Sequence, residues 1–182
     1  MDAAKAAAAL IARPGRTVAQ LGGLLKVRCR VPPLVAVPTT AGTGSEATSF
    51  SVITDRSRNY KLTVSSQHLL AAYVTLDPEL VMSVPAKTAA ACGVDALVHA
   101  LEAYLSLAAS PFSDMFAAKA LQIIGKNLRP YVANRKDPQA AEGMLMGSLF
   151  AGIAFSHARL GNVHAMSHPV SAFFDVAHGV AN

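Results

Sequence analysis

The spacing of apolar residues changes near residue 83. Before it, apolar runs are short and broken by glycine, proline and polar residues; after it, they recur at helical spacing over long stretches. The stretch from Ala3 to Ala12 is rich in the strongest helix former and stops where Arg13, Pro14 and Gly15 follow in order, which predicts one helix. Pro33-Leu34-Val35-Ala36-Val37-Pro38 is an apolar run bounded by prolines and predicts a short buried strand. Ser49 to Thr54, Tyr60 to Ser65 and Tyr73 to Leu76 predict further strands, with Asp55 to Asn59 as a polar hairpin-like turn. Beyond Ser83, the stretch Val94 to Leu107 places Val94, Leu97, Val98, Leu101 and Leu105 on one broad apolar face. Pro111 to Tyr131 and Pro138 to Phe155 repeat the helical habit, each opening with a proline that a first turn tolerates. The expected organisation is therefore a partial α/β domain over residues 1–83 and a partial all-helical domain over residues 84–182, with no internal repeat. The chain starts almost inside a helix and stops without a closing element, so it reads as a fragment.

A composition of 52% apolar and 15% charged residues belongs to a chain that buries a core, and excludes disorder. Apolar runs such as Leu69 to Val74 stop well short of the ~20 residues a membrane-spanning helix needs, so no membrane association is expected. The net charge is +5, but the 16 basic residues are dispersed apart from a mild group at Arg13, Arg16, Lys26, Arg28 and Arg30, which argues against a nucleic-acid partner. Cys29 and Cys92 form neither a CxxC pair nor a disulfide framework, and no signal segment opens the chain; a reducing, cytoplasmic setting is expected.

Five of the six histidines lie in the helical half. Asp95 and His99 are four residues apart, which puts both side chains on one helix face, within reach of one ion. An Asp/His pair at this spacing is by itself more often a surface or capping interaction. A second cluster, His164 and His168, shares a face if its segment is helical, and His178 follows ten residues after His168. One carboxylate with several neutral imidazoles in low-charge surroundings suits Fe(II), Zn(II), Mn(II) or Co(II), and no cysteine biases the set toward softer ions. The run Pro38-Thr39-Thr40-Ala41-Gly42-Thr43-Gly44-Ser45-Glu46-Ala47-Thr48 follows a predicted strand. Its glycines allow close backbone approach and its hydroxyls can bind phosphate or ribose, but it is neither a P-loop nor GxGxxG. By itself it reads most simply as a turn.

Pro38 to Glu46, Gly93-Val94-Asp95-Ala96-Leu97-Val98-His99-Ala100-Leu101-Glu102-Ala103-Tyr104, and Gly161 to Asn182 together resemble the iron-containing (group III) alcohol dehydrogenase family over nearly the whole chain. The resemblance implies an α/β nucleotide-binding domain followed by an all-helical domain, a dehydroquinate synthase-like architecture with the active site in the cleft between them. It selects Asp95, His99, His164 and His178 as metal ligands, Fe2+ before Zn2+, and places His168 near the nicotinamide as a proton-relay residue. It assigns Thr39, Thr40, Thr48 and Lys61 to NAD(H) or NADP(H) binding. It further implies a small alcohol or aldehyde as substrate and a homo-oligomer in the full-length form.

Two departures from the family pattern bear on function. The Gly-Gly-Gly-Ser turn for the pyrophosphate is missing, since Met1 to Lys5 resembles the residues just after it, and the helices that follow the position of Asn182 are also missing. The expected reaction is metal-assisted hydride exchange between a small alcohol and nicotinamide. The alternatives are a truncated remnant that binds metal without catalysis, or a non-redox enzyme of the dehydroquinate synthase type. Phe155, Phe173 and Phe174 fit a substrate pocket and ordinary core packing equally well.

Overall fold

The computed structural model describes residues 1–55 and 60–182, which form two compact units: Met1–Ala36 with Ser45–Thr75, and Val37–Gly44 with Leu76–Asn182.

The first unit mixes helix and strand. Helix α1 (Asp2–Ala12) buries Ala6, Ala8, Ala9 and Lys5 and packs on strand β3 (Phe50–Asp55), where Asp2 accepts from Ser51 O–H and Val52 N–H. Strand β4 (Tyr60–Ser65) runs antiparallel to β3, in the register Phe50↔Ser65 through Asp55↔Tyr60. The short strand β1 (Gly23–Leu24) extends this sheet in parallel on the other edge of β4. Of the expected turn from Asp55 to Asn59, residues 56–59 lie outside the described residues. Helix α2 (Val18–Leu21) opens on a capping box, in which Thr17 Oγ1 accepts from Gln20 N–H while the Gln20 side chain accepts from Thr17 N–H. Ala9, Leu21, Val27, Val64 and Leu69 close the core of this unit.

The run Pro33–Pro38 departs from the expected buried strand. Only Val35–Ala36 is paired, as strand β2 parallel to β5 (Tyr73–Val74). Val35 is 63% exposed and Val37 40%, while Ala36 and Pro38 are buried. An apolar run thus alternates in and out at the two-residue period of a half-buried strand, and its bounding prolines lack the N–H needed to lengthen the ladder.

The second unit is helical: α3 (Ala86–Leu105), α4 (Pro111–Ala133), α5 (Pro138–Ala158), α6 (Asn162–Phe174) and the short α7 (His178–Ala181). Side chains set the helix starts. Ser110 and Ser113 form a capping box ahead of α4, and Asp137 accepts from the N–H groups of Gln139 and Ala140 at the start of α5; each helix has proline in its first turn. Helices α3, α4 and α5 pack against one another around Ala96, Ala100, Ile124, Met144, Leu145 and Ala151. Full burial of a side chain such as Ile124 or Leu145 is worth about 2 kcal/mol.

The apolar face expected on α3 is only partly the face it buries: Leu97 packs against the core and Val98 is half-buried, but the rest of that face is exposed. Leu101 is 45% exposed and Leu105 70%, whereas Ala89, Gly93, Ala96, Ala100 and Ala103 are buried. This stripe of small residues recurs every three or four positions and lets α4 and α5 approach the α3 backbone closely, so steric fit outweighs hydrophobicity in choosing the inner face. Among the described residues, no helix is long and apolar enough to cross a membrane.

Candidate metal centre

The inner face of α3 also carries polar side chains. Asp95, His99 and Glu102 stand at i, i+4 and i+7, all buried. Helix α6 brings in His164, also buried, and the first residue of α7 is His178. Helix α7 lies close on α3: a Cβ added at Gly179 would fall within 2.5 Å of the Ala91 carbonyl carbon, so only glycine admits this approach.

Three imidazoles surround one carboxylate oxygen. Asp95 Oδ1 is 3.7 Å from His99 Nε2, 3.5 Å from His164 Nε2 and 3.8 Å from His178 Nε2. Donor atoms of Asp95, His99 and His164 all lie within 4.8 Å of one another. The rings are held by contacts of their own. His99 stacks between Phe155, at 4.5 Å between centroids, and His164, at 4.4 Å. His99 Nδ1 lies 3.3 Å from the Gly42 carbonyl. A carbonyl can only accept, so this nitrogen carries the proton and Nε2 presents a lone pair toward Asp95. His164 Nδ1 lies 2.6 Å from Glu102 Oε2, and Glu102 Oε1 accepts from Val163 N–H at 2.7 Å.

The electrostatics follow from burial against charge. Burial pushes the His99 imidazole down to about 4, so it stays neutral. Burial also disfavours charge on His164, but hydrogen bonds to Asp95 and Glu102 outweigh it and hold this imidazole above its usual range. Burial would raise Asp95, yet the surrounding histidines, His164 first, hold its carboxyl below the usual carboxylate range.

The arrangement fits a metal ion. His99 Nε2 and Asp95 Oδ1 are both acceptors and face each other in a dry site, which is unfavourable unless a donor or cation lies between them. Ligand atoms on a tetrahedron with bonds of ~2.1 Å are separated by ~3.4 Å, close to the spacings around Asp95. Asn182 partly meets the need, its Nδ2 donating to Asp95 Oδ1 and lying 3.5 Å from His164 Nε2. It is an imperfect occupant, because its own Oδ1 is buried without a hydrogen-bond partner.

The other residues singled out in the sequence are distributed as follows. His168 is half-buried on α6, its ring 5.0 Å from that of His178 and 5.9 Å from that of His164. Thr39 is exposed and Thr40 half-buried on the Val37–Gly44 segment. Thr48, in the first unit, is 1% exposed, and its hydroxyl accepts from Lys5 Nζ at 3.0 Å and lies 3.2 Å from the Ser45 carbonyl. Lys61 is half-buried on β4, opposite Thr54. Phe155 packs in the core against His99, whereas Phe173 and Phe174 are exposed.

Glu102 was not among the residues singled out from the sequence. The signal was present: it follows Asp95 by seven positions and His99 by three, which places it on the same helix face, and a charged residue on a buried face demands a partner.

Residues 1–78 match the family profile described as iron-containing alcohol dehydrogenase, and residues 89–182 that of the Fe-containing alcohol dehydrogenase family, C-terminal. The chain is 43% identical over 182 residues to a probable alcohol dehydrogenase, EutG, of Escherichia coli, covering 100% of the chain and 46% of that protein. It is 41% identical over 181 residues to the NAD-dependent methanol dehydrogenase of Bacillus methanolicus, covering 100% of the chain and 47% of that protein. The crystal structure of a 1,3-propanediol oxidoreductase superposes with a TM-score of 0.95 at 41% identity, over 99% of this chain and 47% of that one. The chain thus spans about half the length of the relatives it matches.

Proposed function

The chain belongs to the iron-containing alcohol dehydrogenase family, and from that premise we propose that it carries the metal-binding segment of an NAD(P)-linked alcohol dehydrogenase or aldehyde reductase acting on a small alcohol or aldehyde. The observation that carries this reading is the convergence of Asp95, His99 and His164 donor atoms within 4.8 Å in a buried site, with His178 beside them. When bound there, a divalent ion, Fe2+ or Zn2+, would supply Lewis acidity toward the substrate oxygen, and NAD(H) or NADP(H) would exchange the hydride.

The chain's own residues divide the remaining work. Asp95, His99, His164 and His178 are the proposed ligands. Phe155 excludes water from the His99 side of the site by stacking on its ring. His168 is the proposed residue that accepts or returns the substrate proton, a reading supported by its ring contact with His178 and its partial exposure. Thr39, Thr40 and Lys61 are proposed to contact the dinucleotide. Thr48 is proposed to act on it through the backbone it fixes, since its hydroxyl is already engaged by Lys5.

The test is elemental analysis of anaerobically purified protein together with alcohol-dependent NADH formation on short alcohols and diols. About one iron or zinc per chain is expected, with loss of the metal in His164→Ala. Unchanged metal content in that variant would overturn the ligand assignment. Phosphate release from a sugar phosphate, with no alcohol-dependent NADH signal, would replace the redox reading with the dehydroquinate synthase-like one.

A further inference from the structure

Glu102 is a buried carboxylate that meets both the start of α6 and the His164 ring. Oε1 accepts from Val163 N–H at 2.7 Å, while Oε2 sits 2.6 Å from His164 Nδ1 and accepts more weakly, at 3.4 Å, from the His164 backbone N–H. The close approach depends on Gly161, where a Cβ would fall 2.8 Å from Oε1. A neutral imidazole carries one proton on one of its two nitrogens, and the hydrogen bond at one nitrogen decides which. Carboxylates only accept, and one faces each nitrogen, but Glu102 lies 2.6 Å from Nδ1 while Asp95 lies 3.5 Å from Nε2, so the neutral ring keeps its proton on Nδ1 and directs the Nε2 lone pair into the site. Its anchorage to Val163 also fixes the carboxylate, and through it the rotation of the imidazole.

We propose that Glu102 is a positioning residue that sets the tautomer and ring orientation of His164, making Nε2 the metal-binding nitrogen. The proposal rests on the reading of Asp95, His99 and His164 as metal ligands. Glu102 lies outside the proposed ligand set. It acts through His164, and the i, i+4, i+7 spacing of Asp95, His99 and Glu102 lets one helix face supply two ligands and the partner of a third.

Glu102→Gln separates this role from a structural one. The amide keeps the shape and can still accept from Val163 N–H through its oxygen. Its NH2 group then faces His164 Nδ1, which must accept and move the proton to Nε2. A residue needed only to cap α6 would keep the short Val163 bond and lose only the longer one, at 3.4 Å, to the His164 N–H, a loss the urea midpoint reads. The experiment measures Zn2+ affinity of the 182-residue chain by chelator competition, the urea midpoint of the metal-free chain, and the His164 tautomer by long-range 15N–1H NMR of the metal-free chain at alkaline pH, where the ring is neutral. Glu102→Gln is expected to weaken Zn2+ binding about 10- to 100-fold, with only a small fall in the midpoint and with the His164 proton shifted from Nδ1 to Nε2. Retention of wild-type affinity by the variant would overturn the proposal, and so would an Nε2–H tautomer in the wild-type chain, a result that does not depend on how the variant folds. If wild type and His164→Ala bind Zn2+ equally, the metal-centre reading fails instead, while the tautomer measurement still decides the role of Glu102.

Discussion

Gly152 lies within α5, where glycine is ordinarily a weakness: replacement by alanine in a helix interior stabilises by about 1 kcal/mol. Here the opposite is expected. A Cβ at position 152 would lie 2.7 Å from the Gly44 carbonyl oxygen and 3.0 Å from Gly44 Cα. Both are backbone atoms, so no side-chain rotation relieves the overlap. Gly44 holds a φ of +58°, which limits how its segment can readjust, and a Cβ at Gly44 would in turn meet Gly152 Cα at 2.6 Å. Overpacking of a close-packed contact costs about 1–3 kcal/mol, and a backbone-to-backbone clash belongs at the upper end. Subtracting the propensity gain leaves Gly152→Ala less stable by about 2 kcal/mol. Gly125 in α4 is the internal control, because an added Cβ meets nothing within 4 Å, and Gly125→Ala should gain the full ~1 kcal/mol. Urea unfolding monitored by circular dichroism should therefore separate the two variants by about 3 kcal/mol. The segment that bears Gly44 also sets the Gly42 carbonyl against His99 Nδ1, so Gly152→Ala should also weaken metal binding at the proposed site. If Gly152→Ala proves as stabilising as Gly125→Ala, the account of this contact is refuted.

Two further outcomes follow from buried polar groups. Lys5 donates to the carbonyls of Ser45, Thr48 and Phe50, and burial lowers its pKa from 10.5 to about 8. Between those values the unfolded chain holds a proton the folded chain has released, so stability rises with pH across the window and the gain is lost as pH falls through about 8. Relative to Lys5→Met, wild type should gain about 3 kcal/mol between the two ends, measured by urea midpoints in a pH series, and a constant difference would contradict the assignment. Tyr131 is buried and its hydroxyl donates to the Val81 carbonyl at 2.7 Å, which also accepts from Val84 N–H. Because that carbonyl keeps a partner, Tyr131→Phe should cost only about 1 kcal/mol, a fall in Tm of roughly 2–4 °C by calorimetry; a fall several times larger would mean the hydroxyl does more than this bond.

Strongly periodic segments were legible without coordinates. The alanine-rich opening helix, the Tyr60–Ser65 strand and the helices starting at Pro111 and Pro138 all stand in the structure, because propensity, caps and proline act within a few residues. The inner face of α3 was not legible. A pattern based on hydrophobicity selects Leu101 and Leu105, while the packed face belongs to Ala89, Gly93, Ala96, Ala100 and Ala103, because the separation of helix axes is a property of the pair and not of one helix.

The same division runs through the candidate metal centre. By itself the sequence determined which residues could serve: Asp95 and His99 share a face through local helix geometry, and His164, His168 and His178 supply further imidazoles. Only the tertiary structure decided how α3, α6 and α7 meet, and therefore that the Nε2 atoms of His99, His164 and His178 surround a single oxygen of Asp95. It also decided that Gly42 and Glu102 stand behind the His99 and His164 rings. Spacing along a chain fixes neighbours one helical turn apart. Contacts across 57 and 62 residues depend on which glycines let backbones touch and which buried charges must find partners, and those are settled only when the helices pack.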